Sequence, residues 1–226
     1  MRSLLLPSTV LCLASCAAGR PSGGDRAPDG PHRHEMHHRF QGAEAWAKEF
    51  DAPSRDAWQK PDAVVAALAL LPTSRVADLG AGTGYFTMRI ARIVSAGKVW
   101  AVDIEPDMAR YLRERAAREG LANVEAVLAT TDDPRLVEPV DVVLVVDTYH
   151  HLERRAAYLP KLVTALAPGG RIVVVDFKMG ELPVGPPEHA RVTPKGVDRE
   201  MAAAGLRRLS LDVATLPHQY IAVYAR

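Results

Sequence analysis

Three glycines stand at alternate positions, Gly80, Gly82 and Gly84, directly after the apolar run 76–79. A buried strand that runs into glycines and then a helix reads as a ligand-binding turn. Glycine reaches positive φ without strain, and with no Cβ it lets a ligand touch the backbone. Asp78 lies inside that strand end, and a second acid, Asp103, closes the run Val99-Trp100-Ala101-Val102-Asp103. A carboxylate at the end of the neighbouring strand can accept from two ribose hydroxyls at once. A third group follows the apolar run 141–146: Asp147, Thr148, Tyr149, His150 and His151. Imidazole titrates near neutral pH, so His150 and His151 are candidate general bases, with Asp147 and Tyr149 as groups to orient a substrate. Consecutive residues on an extended strand point to opposite faces, which favours one histidine, His150, for the reacting centre.

The glycine spacing discriminates between cofactors. A dinucleotide turn, G-x-G-x-x-G, requires glycine at position 85, which is Tyr85. No Tyr-x-x-x-Lys pair is present either, so a nicotinamide oxidoreductase is disfavoured. The pattern is D-x-G-x-G-x-G, which resembles motif I of the class I S-adenosylmethionine (SAM)-dependent methyltransferases. That resemblance implies that Asp78, Gly80, Ala81, Gly82, Gly84 and Tyr85 surround the methionine half of SAM. It implies further that Asp103 holds the ribose and that Ile104 and Glu105 flank the adenine. The His-His-Leu after the fourth strand and Pro168-Gly169-Gly170 before the fifth are similar to that family too. The third strand departs from it: Ala129-Thr130 stands where relatives carry Gly-Asp, leaving Asp132 as the candidate adenine contact.

The resemblance covers residues 40–226. It implies an α/β, Rossmann-like sheet of seven strands with a reversed last strand, helices on both faces and an N-terminal helical cap. The implied reaction is in-line displacement at the sulfonium methyl by a nucleophile on a small-molecule acceptor, as in the ubiquinone/menaquinone-biosynthesis type. SAM is already activated, so proximity and orientation supply much of the rate. The rival of a different class is a non-catalytic, membrane-tethered protein that binds SAM or a nucleoside.

The elements that must position these groups follow from periodicity. Phe40, Ala43, Trp46, Ala47 and Phe50 recur at helical spacing, and residues 52–58 read as a turn. Pro61 opens a second helix whose buried face is Val64, Val65, Leu68 and Leu71, with Pro72 as its stop. Together residues 40–72 form the cap, with Trp46, Phe50, Arg55 and Trp58 at the substrate mouth. A helix over 85–94 places Phe86, Ile90 and Ile93 inward. Strands are expected over 99–103, 124–128, 141–146 and 171–177, and a basic helix starts at Pro106. Two helices broken by Pro160 are expected between the fourth and fifth strands. A proline-rich insertion over 181–192, with His189 and Arg191, reads as a lid or a stiff loop. Thr193 and Pro194 cap and start the last helix, and two strands, 206–213 and 219–224, close the chain.

The chain has 226 residues, a net charge of +1 and 24 % charged residues, which argues against a nucleic-acid partner. Residues 1–16 carry one basic residue and a short apolar run ending Leu13-Ala14-Ser15-Cys16. That is the build of a secretory signal, and its end resembles a bacterial lipoprotein box. The expectation is export with a lipid anchor at Cys16, facing the periplasm; initiation at Met36 would instead give a cytoplasmic enzyme. Residues 17–39 read as a disordered tether. Its His32, His34, Glu35, His37 and His38 lack a second shell to fix metal geometry, so no metal site is assigned.

Overall fold

The computed structural model describes residue 40 and residues 42–226. The signal segment with Cys16 and the His-rich tether lie outside the described residues. Seven strands form one sheet: β1 (Arg75–Leu79), β2 (Lys98–Asp103), β3 (Val124–Leu128), β4 (Val140–Val146), β5 (Leu166–Phe177), β6 (Arg207–Asp212) and β7 (Gln219–Ala225). Their order is β3-β2-β1-β4-β5-β7-β6. The first five run parallel and β7 is antiparallel to both β5 and β6, giving the reversed last strand. The order reverses between β1 and β4, where an open α/β sheet binds ligands beyond its strand ends.

The central strands are apolar on both sides because both sides are covered. Val76, Val142, Leu144, Val173 and Val175 pack towards Val64, Leu68, Phe86 and Ile90. Their alternates Ala77, Val143, Val145, Ile172 and Val174 pack towards Tyr158, Leu162, Val197 and Met201. The period of two sorts one strand's residues into two cores. Helices α3 (Pro61–Ala67), α4 (Thr87–Ile93) and α5 (Pro106–Arg118) cover the first side; α6 (Arg155–Ala165) and α7 (Pro194–Ala203) cover the second. Thr193 caps α7 as expected, its hydroxyl accepting from Gly196 N–H at 3.1 Å.

Several expectations are corrected. Residues 53–59 are a helix, α2 (Pro53–Gln59), not a turn; Pro53 starts it and Arg55 ties it down through a tertiary bond to Asp147. Helix α3 ends at Ala67, and Leu71 is 65 % exposed. Ala69 takes a left-handed φ of 44°, which rotates Leu71 off the buried face. Ile93 is half exposed at the last turn of α4. Pro160 sits inside one continuous helix, α6, instead of dividing two. Strand β5 begins early, pairing Leu166 with Val140, then shifts register so that Arg171 pairs with Val142.

The cap is built on α1 (Ala43–Phe50), whose first turn lacks a capping side chain of its own. Asp107, on α5, replaces it: its Oδ2 accepts from Gly42 N–H at 2.7 Å and Ala43 N–H at 2.8 Å. At the other end Arg115 pairs with Asp51 at 2.8 Å and donates to the Thr83 carbonyl at 2.9 Å. Loss of a helix cap costs about 0.5–2 kcal/mol. Asp107→Ala should therefore raise amide hydrogen exchange across 43–50 by a corresponding factor, while β4 and β5 keep their protection. Unchanged exchange in α1 would contradict this role for Asp107.

Candidate active site

The glycine turn is fixed from three sides. Gly80 and Ala81 N–H both donate to the Val102 carbonyl, at 2.8 and 3.0 Å, which locks the turn to β2. Gly80 has φ 72°, and a Cβ there would run into the Thr148 side chain just past β4. Beneath the turn Asp78 is buried and accepts from the Thr87 hydroxyl at 2.6 Å, joining β1 to α4. Burial lifts the Asp78 carboxyl to about 6. Asp78 thus supports the turn from below, and Ala81 packs towards α5 beside Leu112 and Ala116.

Asp103 links the glycine turn to the start of α5. Its Oδ2 accepts from Gly82 N–H at 2.8 Å and its Oδ1 from Glu105 N–H at 3.0 Å. Burial holds its carboxyl above the usual range, against the pull of those backbone bonds. Gly82 has φ 55°, and the Phe50 ring lies 3.5 Å from where its Cβ would be. Ile104, immediately after Asp103, is 51 % exposed, an apolar surface beside a fixed carboxylate. Glu105 supplies the cap position of α5.

Two of the expected residues turn away from this edge. The Tyr149 ring is fully buried in the core beside α6 and α7, and its hydroxyl donates to Glu200 Oε2 at 2.6 Å. Tyr85 is buried under the cap: its hydroxyl bonds Asp56, and the Arg55 and Arg89 guanidiniums lie 4.2 and 4.0 Å from its ring centre. Asp132 is on the surface past β3, accepting from the Thr130 hydroxyl at 2.9 Å and facing Arg154 at 3.6 Å. His150 and His151 come together, ring centres 4.2 Å apart, because a short 3₁₀ turn (Tyr149–His151) replaces strand alternation. His151 also meets the Phe40 ring at 6.2 Å.

Asp147 belongs to a closed ring of hydrogen bonds that the sequence did not disclose. Arg55 donates to Asp147 Oδ2 at 3.2 Å and to Gln59 Oε1 at 3.1 Å. Gln59 donates to Gln219 Oε1 at 2.6 Å, and Gln219 donates back to Asp147 Oδ1. Gln59 and Gln219 are fully buried and 160 positions apart, so no local signal could pair them. The ring fastens α2 of the cap to the ends of β4 and β7. Asp147 holds a left-handed φ of 52°, a strained conformation for a residue with a Cβ.

Residues 76–170 match a family model described as a methyltransferase domain. A SAM-dependent methyltransferase from Aquifex aeolicus superposes with a TM-score of 0.74, at 25 % identity, over 80 % of this chain and 96 % of that one. The fold is that of the class I SAM-dependent methyltransferases. A malonyl-[acyl-carrier protein] O-methyltransferase of Methylococcus capsulatus is 28 % identical, over 68 % of this chain and 59 % of the relative. A ubiquinone/menaquinone biosynthesis C-methyltransferase of Azotobacter vinelandii is 33 % identical, over 46 % and 42 %. The chain spans about half the length of such curated relatives. SAM is the methyl donor of this fold, and the residues present fit it. Gly82 offers a left-handed turn with no side chain beneath the Phe50 ring, Asp103 a carboxylate held by two N–H groups, and Ile104 an exposed apolar face.

The Asp147 carboxyl of this methyltransferase fold is pushed up to about 7, by burial first and by Asp176 next; Arg55, His150 and Gln219 oppose. A carboxyl whose folded pKa exceeds its unfolded one keeps its proton longer in the folded state. Its contribution to stability is then lost as pH rises from about 4 to about 7. Asp147→Asn lacks that loss, so the variant should gain on the parent across this window. Urea denaturation at several pH values measures the difference; a difference that stays flat or falls contradicts the assignment.

Proposed function

We propose that the protein transfers the methyl group of SAM to a small-molecule acceptor. The observation that carries this reading is the docking of Asp103 on Gly82 N–H, with Gly82 at positive φ and Ile104 exposed alongside. In this reading Asp103 receives the ribose hydroxyls and the turn at Gly80 and Gly82 receives the methionine half, while Gly84 packs the turn against Met88 and Leu112. Ile104 lies against the adenine. SAM supplies an electrophilic methyl on a sulfonium, so the protein's task is to bind, orient and exclude water.

The acceptor side lies beyond the ends of β4 and β5, under the cap. Phe40, Trp46 and Phe50 form one aromatic cluster, with centroid separations of 5.0 and 5.2 Å from Trp46 to Phe40 and Phe50. Trp58 faces Phe177, which ends β5, at 6.1 Å. These apolar faces favour an acceptor with a flat or aliphatic body. The proline-rich loop after β5 closes on the same end, with Arg191 donating to the Lys178, Gly180 and Pro186 carbonyls.

Asp103→Ala removes hydrogen bonds to a charged group and should weaken SAM binding by about 1.5–3 kcal/mol, roughly ten- to a hundredfold in Kd. Gly82→Val should abolish binding, because a branched side chain at φ 55° is strained and would push the turn against the Phe50 ring that covers it. Calorimetric titration of both variants with SAM is the test. Parent-like affinity in both would remove the cofactor site from this place.

A further inference from the structure

Strand β5 ends in Asp176, whose side chain is fully buried. Its Oδ1 accepts from Phe177 N–H at 2.8 Å and its Oδ2 from His150 N–H at 3.2 Å. The same two oxygens lie 2.9 and 3.1 Å from Nδ1 of the His150 ring. Two backbone bonds would be enough to fix the carboxylate, yet it also spans the imidazole with both oxygens. An ionised carboxylate only accepts, so Nδ1 must carry a proton. In the neutral ring Nε2 is then a bare lone pair, and it has no hydrogen-bond partner among the described residues. The ring is held on its flanks by His151 at 4.2 Å and the edge of Phe177 at 6.3 Å.

We propose that Asp176 is a positioning residue that holds His150 in the Nδ1–H tautomer and leaves Nε2 to take a proton from the methyl acceptor. The proposal rests on the methyl-transfer reading. It narrows the acceptor to compounds whose nucleophilic atom carries a hydrogen. As that atom bonds to the methyl carbon, its proton passes to Nε2; the carbon–sulfur bond breaks and its electron pair stays on sulfur. The imidazolium so formed is held against the Asp176 carboxylate. Asp147 and Arg55 also face this corner, one acid and one base, and they pair with each other at 3.2 Å.

The test is long-range ¹⁵N–¹H correlation of the histidine rings in the full chain, at a pH where His150 is neutral. His150 should show a protonated Nδ1 and a pyridine-like Nε2. Asp176→Asn, whose amide can donate to Nδ1, should shift His150 towards the Nε2–H tautomer. Asp147→Asn, which leaves Asp176 in place, should keep the parent pattern. A parent spectrum with Nε2 protonated overturns the proposal, and this holds even where Asp176→Asn does not fold. A tautomer unchanged by folded Asp176→Asn overturns it too. Titration with S-adenosylhomocysteine runs in parallel and separates the two readings. No binding by the parent overturns methyl transfer and the proposal with it; binding with the wrong tautomer overturns only the role of Asp176.

Discussion

Four adjacent parallel strands carry a carboxylate at or just past their ends, and each must find donors there with little water to help. Burying an ionised acid without partners costs several kcal/mol, so the surrounding structure is bound to supply them. The four solutions differ. Asp78 takes one hydroxyl, from Thr87; Asp103 takes two backbone N–H groups, from Gly82 and Glu105. Asp147 takes Arg55 and Gln219; Asp176 takes His150 and the Phe177 N–H. These four arrangements define the turn, the cofactor edge, the cap joint and the dyad. The sheet brings the acids to one edge, and satisfying them builds the site.

The solutions also divide the labour between rigid and adjustable parts. Asp78 and Asp103 are satisfied within one strand–turn–helix unit and its neighbour, so the glycine turn is set largely by local structure. Asp147 is satisfied by side chains from α2 and β7, so the cap is attached through a joint of long, polar groups. Removing one member of that ring leaves the others unpaired, at about 1–3 kcal/mol for a buried partner. Phe50 against Gly82 and Phe40 against His151 show how far the cap reaches: it touches both the glycine turn and the histidine pair after β4.

The strand–glycine turn–helix unit was legible in the sequence because it is local. Three glycines at alternate positions and an acid at the end of the next strand need no knowledge of distant contacts. Strand β3 was read to its bounds for the same reason, a short alternating run between turn signals. What was missed depends on tertiary contacts. Helix α2 has only seven residues, too short to announce itself, and is held by Arg55 bonding to Asp147 and Gln59 bonding to Gln219. Tyr149 looked like a strand-end polar group, but the positive φ at Asp147 and the 3₁₀ turn send its ring into the core. The same turn sets the two histidines side by side, where simple alternation would separate them. The Gln59–Gln219 bond joins the two ends of the described chain, and nothing in either neighbourhood marks it.

In the proposed methyl transfer the cofactor lies at the Asp103–Gly82 junction. This placement is tested most directly by titrating ¹⁵N-labelled protein with S-adenosylhomocysteine and following the backbone amides. The largest shifts are expected at Gly82, Ile104 and Glu105, with smaller ones in α1 where Phe50 covers the turn. Shifts confined to other parts of the sheet, with these amides unmoved at saturation, would contradict the placement.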